Sequence, residues 1–90
     1  METGKYRVYI TKGCKKDIDK TPYHIQKAVN KAFEVLSADP YHGIRIKPLS
    51  GELQGYYRYR INDYRLIYRV DDSIVTIYAV GFGPRGDIYK

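Results

Sequence analysis

Tyr57-Arg58-Tyr59-Arg60-Ile61-Asn62-Asp63-Tyr64-Arg65-Leu66-Ile67-Tyr68-Arg69-Val70 is the stretch whose reading decides the fold. Aromatic and aliphatic residues alternate with arginine on both sides of Asn62-Asp63, the period-two pattern of half-buried strands around a turn-former. If the turn is two residues long, Ile61 pairs with Tyr64 and Arg60 lies directly opposite Arg65. One face of the hairpin then carries Tyr57, Tyr59, Ile61, Tyr64, Leu66, Tyr68 and Val70, and the other carries Arg58, Arg60, Arg65 and Arg69. Like charges directly opposite on a sheet repel. Folding alone gives no reason for that arrangement, whereas a bound phosphate turns the repulsion into shared recognition. The plain alternative is that the long arginine stems splay apart and solvate the open side of a one-sided sheet.

Downstream of the hairpin, Asp71-Asp72-Ser73 reads as a second turn and Ile74–Gly81 as a further strand. Upstream, Tyr6, Val8 and Ile10 alternate with Arg7 and Tyr9, which predicts a strand over Tyr6–Ile10. Thr11 can cap a short helix that carries Cys14 and Ile18 on one side and Lys15-Lys16 on the other. Thr21 reads as the N-cap of a second helix, with Pro22 at its first position, where a missing N–H costs nothing. Ile25, Ala28, Val29, Ala32, Phe33 and Leu36 form its buried stripe, and Asp39-Pro40 ends it. Tyr41 to Gly55 reads as a connector, broken by Gly43, Pro48, Gly51 and Gly55 and too polar for the core. The order is β-α-α-β-β-β. It predicts one α+β domain over residues 1–90, a helical hairpin packed on one face of a small antiparallel sheet.

Composition narrows the function. The 90 residues include 16 Lys+Arg against 10 Asp+Glu, a net charge of +6, with eleven Tyr, two Phe and no Trp. Cations neutralise phosphates and phenol rings stack on bases, so a basic, Tyr-rich surface suits a polyanion. Cys14 stands alone, which excludes an internal disulfide and points to a reducing, cytoplasmic setting. The longest near-apolar stretch, Ile74 to Gly83, is about half of what a membrane span needs. Met1 to Lys16 lacks the apolar centre of an export signal. His24 and His42 have no Cys or carboxylate at ligand spacing, so neither a metal nor another cofactor is expected. His24 is expected to face solvent, and His42 to lie within reach of the open sheet face. Gly81-Phe82-Gly83-Pro84-Arg85-Gly86 follows a strand but opens no helix, which separates it from nucleotide-binding loops. It reads as a bend that returns Arg85 and Tyr89 over the sheet.

Lys47-Pro48-Leu49-Ser50-Gly51-Glu52-Leu53, Tyr57-Arg58-Tyr59-Arg60-Ile61, Asp63-Tyr64-Arg65-Leu66-Ile67-Tyr68 and Pro84-Arg85-Gly86-Asp87-Ile88-Tyr89-Lys90 resemble the RelE/ParE toxin superfamily. The branch is that of RelE-like mRNA interferases, in their short form without a C-terminal helix. The resemblance implies a microbial-RNase-like fold and an endoribonuclease that cuts mRNA in the ribosomal A site. It also implies a small cognate antitoxin, acidic over its binding segment. Carried over residue by residue, Arg58, Arg60, Arg65, Arg85 and Tyr89 are the catalytic candidates, with Lys47, Arg69 and Lys90 as RNA contacts. Gly83 stands where the family has a basic residue. Cleavage by attack of the 2′-oxygen on the adjacent phosphorus needs no metal, and the arginines suit charge stabilisation but not proton abstraction. Tyr89 is left for proton transfer or base stacking. ParE-type members share the fold and act on DNA gyrase, so a protein-binding toxin stays open as the alternative. An inactive relative that only binds an antitoxin stays open too.

Overall fold

A computed structural model describes residues 5–84. The elements run β1 (Arg7–Ile10), α1 (Lys12–Asp19), α2 (Tyr23–Ala38), β2 (Ile46–Pro48), a 3-10 turn at Gly51–Leu53, β3 (Tyr57–Ile61), β4 (Tyr64–Asp71) and β5 (Thr76–Pro84). The Thr11 side chain accepts from the Cys14 backbone N–H at 3.2 Å and starts α1, which buries Cys14 and Ile18. The Thr21 hydroxyl, expected to cap α2, instead donates backwards to the Ile18 carbonyl at 2.6 Å. Pro22 takes the cap position, and Gln26 Nε2 covers the joint by donating to the carbonyls of Thr21 and Asp19. Ile25, Val29, Ala32 and Leu36 form the buried stripe of α2. Asp39, before Pro40, is already extended, with φ −157°.

The five strands form one sheet in the order β1-β5-β4-β3-β2. The hairpin has the expected register, with Ile61 opposite Tyr64 and Arg60 opposite Arg65. Asn62 holds the turn at φ 53°, a left-handed conformation that asparagine tolerates. Two features depart from the sequence reading. The connector supplies a fifth strand, since Ile46, Lys47 and Pro48 pair with Tyr59, Arg58 and Tyr57. In addition, β1 runs parallel to β5, so the sheet is mostly rather than wholly antiparallel.

The last strand begins and ends later than expected. Ile74 and Val75 are β-prone but lie in the turn, where Ile74 is exposed and Val75 has φ 49°. The Asp71 carboxylate draws this turn together by accepting from the Ser73 N–H and hydroxyl. Gly81 to Pro84, read as a bend, continue β5. Tyr68 pairs with Ala79 and Ile67 with Gly81, so Val80 is an extra, bulged residue. That one-residue slip turns Phe82 to the same side as Ile77 and Ala79, where it stacks on Tyr64 at 5.1 Å. The core between sheet and helices holds Val29, Leu36, Leu66, Tyr68, Ile77 and Phe82. Among the described residues no helix is long and apolar enough to cross a membrane.

Candidate nucleic-acid interface

On the sheet face away from the helices, Lys47, Arg58 and Ile67 are cross-strand neighbours on β2, β3 and β4. Beyond β2 the chain folds back as a wall. The Leu49 N–H donates to the Tyr56 carbonyl at 2.9 Å, and Gln54 and Tyr56 close the 3-10 turn through the carbonyls of Gly51 and Leu53. Gly51 and Gly55 bracket that turn at φ 68° and 97°, where a side chain would be strained. The result is an open cleft of about 510 Å³, lined by Lys47, Pro48, Leu49, Ser50, Glu52, Leu53, Arg58 and Arg65. Three cations and one carboxylate face it. Arg58 leans along the sheet, with Nη1 donating to the Arg45 carbonyl at 2.9 Å.

The other candidates are distributed around this cleft. Arg60 is paired with Arg65 through the backbone, but its side chain lines a separate depression of about 190 Å³ with Lys31, Arg45 and helix α2. Arg65 lines the cleft and Arg60 does not, although the Arg60 N–H is still met by the Arg45 carbonyl at 3.0 Å. Arg69 lies on the β1 side of the face, with its guanidinium 4.2 Å from the Tyr78 ring centre. Gly83 is directly opposite Arg65, so the family's basic residue would have extended the Arg60–Arg65 row. Arg85, Tyr89 and Lys90 lie outside the described residues. His24 is exposed as expected. His42 turns to the helix side instead of the open face, its Nδ1 3.0 Å from an Asp39 carboxylate oxygen.

Glu52 was quoted in the sequence motif without a role. The structure makes it the only carboxylate among the described residues lining the cleft. The left-handed glycines on either side of Glu52-Leu53 were the available signal that this segment folds back. No three His, Cys, Asp or Glu side chains among the described residues come together as metal ligands. Burial pushes the Cys14 thiol up to about 12, which makes it an inert core residue rather than a nucleophile.

The remaining acid–base chemistry sits at the far end of β4. Asp72 accepts hydrogen bonds from the Tyr41 and Tyr6 hydroxyls, both at 2.6 Å. Those bonds, Tyr41's first, hold the Asp72 carboxyl below the usual range, and they push both phenols up. The buried Tyr68 hydroxyl donates to the Pro40 carbonyl at 2.7 Å. The cleft thus keeps its cations near one carboxylate, an arrangement that can hold a phosphate and stabilise added negative charge on it.

The profile of the family described as ParE toxin of type II toxin-antitoxin system, parDE, matches residues 8–89. Toxin RelG of Mycobacterium tuberculosis is 39% identical over 87 residues, which cover 94% of this chain and 97% of that protein. The toxin in the toxin–antitoxin complex RelBE2 from the same organism superposes with a TM-score of 0.78 at 37% identity, covering 89% of this chain and 98% of that one. The archaeal RelE–RelB complex from Pyrococcus horikoshii gives 0.80 at 28% identity, covering 92% and 98%.

Proposed function

The chain belongs to the ParE toxin family of type II toxin–antitoxin systems and is a RelE-like toxin, and from that premise we propose that it is a ribosome-dependent mRNA endoribonuclease. The observation that carries this reading is the cleft into which Lys47, Arg58 and Arg65 converge. A scissile phosphate in the cleft would be attacked by its own neighbouring 2′-oxygen. The new O–P bond forms as the bond to the 5′-oxygen breaks, giving a 2′,3′-cyclic phosphate and a 5′-hydroxyl. Arg58 and Arg65, with Arg85, stabilise the charge that builds on the phosphorane oxygens. Glu52 accepts the 2′-hydroxyl proton, and Tyr89 returns one to the 5′-oxygen. Lys47, Arg60, Arg69 and Lys90 hold neighbouring phosphates.

So open a cleft aligns RNA poorly by itself. Alignment by the ribosome supplies what the short chain lacks, which is why the activity is assigned to the cytoplasm on translated mRNA. The two solved structures named above are toxin–antitoxin complexes. This chain, at net charge +6, is assigned a cognate antitoxin that is acidic over its binding segment.

Mapping RNA ends on translating ribosomes tests the activity. Expected are cuts within the A-site codon, ending in 2′,3′-cyclic phosphate and insensitive to chelators. Growth arrest with intact mRNA and blocked DNA supercoiling would replace the reading with a gyrase-directed one. Intact mRNA with normal growth would leave only antitoxin binding.

A further inference from the structure

We propose that Tyr9, Tyr78 and Arg69 form a stacking platform for an unpaired base of the same RNA whose scissile phosphate lies in the basic cleft. Tyr9 pairs with Tyr78 across β1 and β5, and Tyr78 pairs with Arg69 across β5 and β4, so the three side chains share one row of the open face. The Tyr9 and Tyr78 rings meet edge to face at 5.8 Å, and the Arg69 guanidinium covers the Tyr78 ring at 4.2 Å. Tyr9 nevertheless remains 58% exposed. A large ring held by a neighbour yet left open to solvent on a cationic sheet face is the arrangement in which aromatic side chains receive unstacked bases. Arg7 stands two residues from Tyr9 on the same face and is exposed, so cations flank the platform at both ends. Asp71, two residues from Arg69 on the same face of β4, is engaged by Ser73.

Strand spacing puts Tyr9 about 16 Å from Arg58, a distance that a short single strand spans. This deepens the endoribonuclease reading and rests on it: cleft and platform would be two contacts on one strand. The platform would favour bases that stack well without reading their edges, because it offers π-faces and no fixed hydrogen-bond pattern.

The experiment uses the full chain and a fluorescein-labelled single-stranded 2′-O-methyl oligoribonucleotide, which lacks the attacking hydroxyl and is not cleaved. Tyr9→Ala is expected to weaken binding about 5- to 150-fold, the measured range for unstacking one base. Tyr9→Phe keeps the ring and should bind within about twofold of the parent. Because the chain has no tryptophan, Tyr9→Trp introduces a single reporter whose emission should fall as the oligonucleotide saturates it. Normal affinity in Tyr9→Ala alongside lost affinity in Arg58→Ala would overturn the platform and leave the RNA reading standing. Unchanged Tyr9→Trp emission at saturation would overturn it as well. Failure of the parent chain and of every variant to bind in a salt-dependent manner would overturn the platform, whereas the endoribonuclease reading falls only if the RNA ends mapped on translating ribosomes show no A-site cuts.

Discussion

At the end of β4 near Asp72, each carboxylate is met from within the fold. Asp72 takes two tyrosine hydroxyls, Asp71 takes Ser73, and Asp39 takes the Tyr41 N–H and the His42 ring. Toward the Asn62-Asp63 turn, Arg65 lies across from Arg60, and midway along β4, beside Ile67, Lys47 lies across from Arg58. One end spends its polar groups on joining β1, the connector and the last turn. The other sets Lys47, Arg58 and Arg65 around one cleft, where they can serve an anion from outside. The joining contacts and the basic cleft thus occupy different parts of the same sheet.

The sharpest way to break this comparison is to change chemistry in the cleft without touching its charge row. Glu52→Gln is expected to lower cleavage on ribosomes by about 10²–10⁴-fold with ribosome binding retained. A normal rate would remove Glu52 as the proton acceptor. Arg65→Ala should cost about 10²–10³-fold in cleavage per folded molecule, with the melting temperature read alongside to separate lost chemistry from lost fold. A mutant that unfolds yet cleaves normally per folded molecule would reverse the division of labour between the two ends.

The joining end should show the opposite response. Tyr68→Phe strips the buried Pro40 carbonyl of its donor and should cost about 1–3 kcal/mol in denaturant melts, with activity per folded molecule unchanged. The smallest effect is expected from Asp72→Asn, read as a pH profile of the melting temperature. The Asp72 carboxyl is held low in the folded chain, so its stabilisation is complete above about pH 4 and is lost as pH falls through the lowered value. Tyr41 and Tyr6 are held high, so theirs is complete below about pH 10 and is lost as pH rises through the raised values. Asp72→Asn should make both arms shallower, with Asp39 and Asp71 still contributing to the acid arm and Tyr68 to the alkaline one, and Arg65→Ala should change neither. Equal profiles in the parent chain and Asp72→Asn would show that the tyrosine–aspartate junction carries no stability.

The hairpin was legible because its evidence is local: alternation sets the faces, and a two-residue turn sets the register. Both helices were legible from the spacing of Cys14 with Ile18 and of Ile25 through Leu36. The three-residue β2 was not, since Ile46-Lys47-Pro48 is too short to alternate and contains a proline. It exists because β3 offers an edge, with Pro48 tolerated at the margin. Ile74 and Val75 misled in the other direction, because Asp71 and Ser73 impose a turn on residues of high strand propensity. The direction of β1 against β5 leaves no trace in a period-two pattern. For the site, arginine positions could be read, but Arg60 lines the depression beside α2 rather than the cleft, and only the tertiary packing shows that. The Tyr9–Tyr78–Arg69 row joins three strands that only the sheet order makes neighbours.

The parallel pairing of β1 with β5 bears on when the protein becomes competent during its own synthesis. Arg7 finds its partner in Thr76, far later in the sequence, and β5 lies between β1 and β4 in the sheet. Contacts so distant in sequence form late, after the entropy of closing nearly the whole chain has been met. While a nascent chain is still being elongated, the sheet lacks its middle strand and the platform lacks Tyr78. The sheet is therefore complete only once β5 has been made and has reached β1.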